Sequence, residues 1–245
     1  MKSCLLTIFS GMVLSLSAQY PNGNELLRRI DQNMSSESRV FTSKMVIHGT
    51  RGARTVESKT WSVGENKAFT EYTNPPRENG TKMLKLEDAL WIYSPSTDRT
   101  IQIAGHMLRQ SVMGSDMSYE DMMDDDRLEK HYDAKVTGEE TILGRKCWVM
   151  ELNATDDEVA YQKRIQWVDE ERLIPIKEEL YAKSGKLLKK TELSDVRKIE
   201  GRWFPFKITF KDMLKTGDGT EFIIEKIDFN VPIDDVVFTK ASLRR

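Results

Sequence analysis

The chain has 245 residues, with 39% hydrophobic and 31% charged side chains, and its mean hydropathy is −0.52. That is enough apolar material for a substantial core. Its 37 basic and 39 acidic residues leave a net charge of −2, which argues against a nucleic-acid binder resting on many Lys/Arg–phosphate contacts. Two cysteines cannot form a disulfide scaffold, and three histidines leave little material for a zinc enzyme.

In chain order, Lys2 precedes an apolar run from Leu5 to Leu16, with the small residues Ser15, Ser17 and Ala18 about its end. This is the layout of a secretory signal peptide over residues 1–18, and the run is short for a membrane span. Cys4 lies within the run and lacks the setting of a lipid-attachment cysteine. Removing the segment leaves Cys147, which the surrounding strand pattern reads as a small buried hydrophobe. One domain over residues 19–245 follows, because no linker-like stretch interrupts the remainder.

The stretch PNGNELLRRIDQNM places Leu26, Leu27, Ile30 and Met34 on one helical face behind Asn cap candidates. The period then changes from helix to strand. Phe41, Met45 and Ile47 alternate with polar neighbours, and short strands are predicted at Thr60–Val63, Ala68–Tyr72 and Met83–Leu86. Two more flank the turn in DALWIYSPSTDRTIQIAG. Seven others follow in the second half, from Ala134–Glu139 to Glu221–Phe229. About a dozen strands at near-regular spacing, without βαβ alternation, predict a mainly β (α+β) fold: an antiparallel barrel or strongly curved sheet.

One segment, Gly105 to Asp126, breaks the pattern. It carries Met107, Met113, Met117, Met122 and Met123, and Ser118 followed by Asp121 resembles a capping box. Tyr119, Met122 and Met123 share a helical face. A loop and short helix covering a cavity mouth are expected, with Ser115, Asp116, Ser118 and Asp121 fixing turn and helix start.

Enzyme signatures are missing. There is no glycine-rich phosphate loop, HExxH or GxSxG. Ser115 and Asp116 with His106 or His131 make at best a weak hydrolytic set, and His48 is distant in sequence. Asp124-Asp125-Asp126 lacks the ligand spacing of a calcium loop. What remains is apolar: Trp61, Phe69, Tyr72, Met83, Leu84, Trp91, Tyr93 and Trp148 all fall on predicted strands, and with the methionines they are the candidate lining of a ligand cavity.

MLKLEDALWIYSPSTDRTIQI, QSVMGSDMSYEDM, GRKCWVMELNA, YQKRIQWVDEE and DDVVFTKASL together resemble the bacterial outer-membrane lipoprotein-sorting proteins of the LolA-like superfamily, in the branch found alongside large export pumps. The resemblance runs from Glu25 to Leu243, and its most specific part is GSDMSYED with the upstream WIYSP. Trp91, Tyr93, Pro95, Arg99, Ser115, Asp116, Tyr119 and Asp121 stand where the family pattern places them. It implies a periplasmic, non-enzymatic carrier without cofactor. Its half-open antiparallel β-barrel, lidded by helices, would take acyl chains of lipoproteins or other lipids and move them toward the outer membrane, with an inner-membrane transporter of the export-pump type as a partner. The alternative is a lipid-binding accessory or sensor subunit of such a transporter that does not shuttle cargo.

Overall fold

In a computed structural model of the chain, the structure describes residues 20–50, 52–123, 127–157 and 159–245. The expected signal segment with Cys4, and the triplet Asp124–Asp126, lie outside these residues.

The first element is α1 (Gly23–Met34). Asn22 caps it by accepting a hydrogen bond from the Glu25 N–H at 3.0 Å, and Glu25 sits in the first turn, where the helix dipole favours an acid. Thirteen strands follow among the described residues. The N-terminal group is β1 (Ser38–Gly49), β2 (Gly52–Val63), β3 (Lys67–Asn74), β4 (Lys82–Leu86), β5 (Ala89–Ser94) and β6 (Arg99–Ile103). A non-strand segment then contains α2 (Tyr119–Met123) among short 3-10 turns. The C-terminal group is β7 (Tyr132–Ile142), β8 (Arg145–Ala154), β9 (Lys163–Asp169), β10 (Ile174–Tyr181), β11 (Leu187–Ile199), β12 (Arg202–Asp212) and β13 (Gly219–Phe229).

All thirteen join one antiparallel sheet in the order β6-β5-β4-β3-β2-β1-β13-β12-β11-β10-β9-β8-β7. Apart from the β1–β13 seam, every neighbour is a sequence neighbour, the natural product of short turns. Two of these, Leu143-Gly144 and Glu200-Gly201, have positive φ at both central residues, as hairpins that follow the strand twist require.

The sheet is curved and unclosed, with β6 and β7 as its free edges. α1 touches β7, β10 and β12 at once. In a flat sheet β7 and β12 would stand about 24 Å apart at ~4.8 Å per strand, so the C-terminal half wraps around the helix. Leu26, Leu27 and Ile30 pack there on Val136, Met150, Leu152 and Val168. The approach is close. A Cβ on Gly23 would collide with the Ala134 carbonyl, and the Asn24 side chain accepts from the Ala134 N–H at 2.6 Å.

The outer face of the N-terminal half is covered as well. Two 3-10 turns, Asp235–Phe238 and Lys240–Arg244, lay Phe238 and Leu243 on Phe69 and Leu84, with Trp61, Trp91 and Tyr93 alongside. Strands β3–β5 are therefore packed on both faces, in keeping with the consecutive apolar residues Met83-Leu84 in β4 and Ala89–Tyr93 in β5.

Candidate binding site

The site is the inner face of β1–β6 together with the segment that crosses it from β6 to β7. Strand alternation sends Met45 and Ile47, Val56, Tyr72, Met83, Leu90 and Ile92, and Ile103 inward, where they form one buried cluster with Val112. Met107, Met113, Met117, Tyr119, Met122 and Met123 pack against that cluster from above, all only partly buried. Unlike α1, this cover is built from turns and a five-residue helix. It fills the trough with flexible side chains. The open space lies along its margins, in clefts of about 340 and 120 Å³ with mixed polar and apolar walls.

The polar residues of the segment tie it to both halves of the sheet. Asp116 is buried: its Oδ2 accepts from the Thr220 hydroxyl at 2.8 Å and its Oδ1 from the Asp212 N–H at 3.0 Å. The Lys215 ammonium donates to the Ser111 hydroxyl and, at 2.5 Å, to the Ser115 carbonyl. Ser115 Oγ accepts from the Met117 N–H at 3.1 Å and closes the turn. The β12–β13 hairpin thus holds the middle of the cover.

Ser118 and Asp121 form the reciprocal capping pair that their spacing indicates. Asp121 accepts from the Ser118 N–H at 2.6 Å, and Ser118 Oγ accepts from the Asp121 N–H at 3.2 Å. The same carboxylate is shared further. Tyr161 donates to it at 2.5 Å, and Lys189 of β11 forms an ion pair with it, both partners nearly buried. Burial by itself would raise the Asp121 pKa. Lys189, the Tyr161 hydroxyl and the Ser118 N–H outweigh it and hold the carboxyl below its ordinary value. At the far end of the cover, Glu65 in the β2–β3 turn receives Lys130 at 2.6 Å and also Arg127.

The structure separates the residues singled out from sequence into two sets. Tyr72, Met83 and the five methionines meet on the inner face. Trp61, Phe69, Leu84, Trp91 and Tyr93 share the outer face under the C-terminal turns, where Lys240 lies 4.1 Å from the Trp91 ring. Trp148 packs near α1. Pro95 and Arg99 belong to the β5–β6 hairpin, in which Tyr93 donates to Asp98 at 3.2 Å. Sequence reasoning missed Lys189, Tyr161, Thr220 and Glu65, none of which carries a local signal.

Ser115 Oγ is engaged with the Met117 backbone, and His131 faces Asp156 at 3.4 Å. Burial pushes the Cys147 thiol upward, away from reactivity. Among the described residues, no three of His, Cys, Asp and Glu are grouped to hold a metal ion, and no helix is long and apolar enough to cross a membrane.

An unclosed, mainly β sheet whose trough is covered by a turn-built segment is the LolA-like fold, and solved structures share it. A domain described as an outer membrane lipoprotein-sorting protein, from Vibrio parahaemolyticus, superposes with a TM-score of 0.80 at 22% identity, covering 91% of this chain and 98% of that one. A DUF1329 family protein from Desulfovibrio piger gives 0.83 at 26%, covering 90% and 97%. A LolA superfamily protein from Nitrosomonas europaea gives 0.76 at 23%, covering 91% and 100%. No curated protein matches the sequence. A family model described only as "Uncharacterized protein" matches residues 64–245, and the chain belongs to that family.

Proposed function

We propose that the protein is an exported, non-enzymatic lipid carrier that takes acyl chains of lipoproteins or other lipids into the trough now filled by residues 105–123. The observation that carries this reading is the nature of the cover: a methionine-rich segment without long regular structure, laid on the apolar inner face of β1–β6. Methionine is flexible and polarizable, and suits a surface that must accept varied apolar partners. The solved structures of the same fold, one of them described as lipoprotein-sorting, support the direction.

The energies are compatible with exchange. A long acyl chain gains roughly 10 kcal/mol on burial at about 0.8 kcal/mol per CH₂. Five half-buried methionines forfeit roughly 5 kcal/mol when displaced, taking half of about 1.5–3 kcal/mol each. The difference is large enough for binding and small enough for release after ordering costs.

Export by cleavage near Ala18, residence in the periplasm as one domain over residues 19–245, and collaboration with an inner-membrane transporter belong to the same reading. The test is mass spectrometry of lipids that co-purify with the native protein, followed by transfer between donor and acceptor vesicles. Stoichiometric lipid with transfer supports the carrier. Bound lipid without transfer makes it a non-shuttling accessory subunit, and protein that takes up no lipid from any source overturns the proposal.

A further inference from the structure

The floor of the trough carries buried charge. Arg164 and Gln166 of β9, Glu178 of β10, and Lys189 and Thr191 of β11 stand in rows with Met150 and Leu152 of β8, and so share the inner face. Arg164, Gln166, Lys189 and Thr191 are buried. Part of this set is settled within the floor. Glu178 lies 3.4 Å from the Arg164 guanidinium and accepts from the Gln166 amide at 3.0 Å. Asp212, opposite Lys189 on β12, faces Lys215 at 3.7 Å and accepts from the Leu214 N–H at 2.9 Å. Lys189 is different. Its ion pair among the described residues is with Asp121, an acid that belongs to the cover.

The cover thus supplies the counter-charge of a buried floor cation. Its carboxylate is gripped at both oxygens, Oδ2 by the Lys189 ammonium and Oδ1 by the Tyr161 hydroxyl at 2.5 Å. Lifting the cover alone strips Lys189 of its anion, and breaking a buried pair from one side costs far more than the pair is worth. A second observation points the same way. Gln166 Oε1 is buried and accepts no hydrogen bond among the described residues, so the covered floor is short of a polar partner. Hydrocarbon alone answers neither need. The 120 Å³ cleft is lined by Asp121, so a ligand at the margin of the cover meets this ion pair.

We infer that Asp121 stands in for the ligand, and that Lys189 with the Tyr161 hydroxyl forms a head-group subsite for an amphiphile bearing one negative charge, on a phosphodiester or a carboxylate. The inference rests on the lipid-binding reading above and deepens it. Such a head group presents two oxygens to the same two donors, and charge-assisted bonds of this kind are the strong ones. It also restores the single charge that the departing Asp121 takes away. Head-group capture and departure of the cover are then one exchange, whereas a neutral lipid leaves Lys189 without an anion.

The experiment titrates delipidated full-length protein with phosphatidylglycerol, with diacylglycerol of the same acyl chains, and with inorganic phosphate, for wild type, Lys189→Met, Tyr161→Phe and Asp121→Asn. Wild type should prefer phosphatidylglycerol to diacylglycerol by about tenfold or more, the range expected for a hydrogen bond to a charged group. Lys189→Met should bring the two lipids within about twofold of each other, and Tyr161→Phe should reduce the preference severalfold. Asp121→Asn removes the stand-in and keeps the subsite, so both lipids should bind more tightly by a common factor and the preference should stay. That contrast separates a subsite from a loosened cover, because Lys189→Met and Asp121→Asn break the same ion pair. Tyr161→Phe keeps the test informative if Lys189→Met fails to fold. Equal affinity for both lipids in wild type, a preference that survives both Lys189→Met and Tyr161→Phe, or one that Asp121→Asn abolishes, overturns the subsite and leaves the carrier reading standing. Failure of wild type to bind either lipid overturns the carrier reading itself. Inorganic phosphate that binds as tightly as the phospholipid, in a Lys189-dependent way, replaces the head-group assignment with a free-anion site.

Discussion

The same inner face of the sheet is covered in two different ways. Over the C-terminal half lies a capped, three-turn amphipathic helix whose Leu26, Leu27 and Ile30 are 3%, 0% and 3% exposed. Over the N-terminal half lies a chain of turns whose methionines are all partly open to solvent, held by side-chain hydrogen bonds and ion pairs to distant strands. Both bury apolar surface, but α1 does so from a capped helix whose core-facing side chains are almost fully enclosed. On the proposed reading, the contrast separates a permanent piece of core from a piece that leaves when lipid binds.

Substitutions sharpen or break that contrast. Leu27→Ala should cost about 2–5 kcal/mol of global stability by opening a cavity under α1, seen as a lower midpoint in urea with an unchanged slope. Lys189→Met leaves the nearly buried Asp121 carboxylate without its cation, and breaking such a pair by one partner costs about 3–5 kcal/mol. That cost should appear mainly as faster amide exchange in residues 111–123, with a much smaller effect on α1.

The same group gives a pH signature. The folded carboxyl titrates below its unfolded value, so its contribution is complete above about pH 4 and is lost as pH falls through the depressed value. Protection of residues 111–123, corrected for intrinsic exchange, should therefore be flat from pH 7 to about 4 and fall below that. Asp121→Asn should remove the pH-dependent part.

Asp116→Ala removes the bonds to Thr220 and the Asp212 N–H and should cost about 1–3 kcal/mol locally, read as faster proteolysis of the segment with the far-UV spectrum unchanged. Met122→Ala, at a half-buried site, should cost about 1 kcal/mol or less and barely move the urea midpoint. A loss as large as that of Leu27→Ala would make the cover ordinary core.

Much of this was legible in the sequence because its signals are local. Asn22 and the i, i+3, i+4 leucines and isoleucine define α1, the period-two runs define the strands, and Ser118 with Asp121 defines the start of α2. The assignment of faces was not legible. Alternation tells which residues share a side, but in β5 both sides are apolar, so Leu90 and Ile92 inside look like Trp91 and Tyr93 outside. The decision is made by the C-terminal turns, more than 130 residues away in the chain, which cover the outer aromatics. The partners of Asp121 were hidden for the same reason, Tyr161 lying 40 and Lys189 lying 68 positions downstream.

The claim that one cover leaves and the other stays is tested most directly by hydrogen exchange on the full-length protein, with and without phospholipid, comparing residues 105–123 with α1. The account predicts that lipid-free residues 105–123 exchange well before α1, and that lipid changes the protection of that segment while α1 stays as it was. Equal protection of the two covers in both states would contradict it.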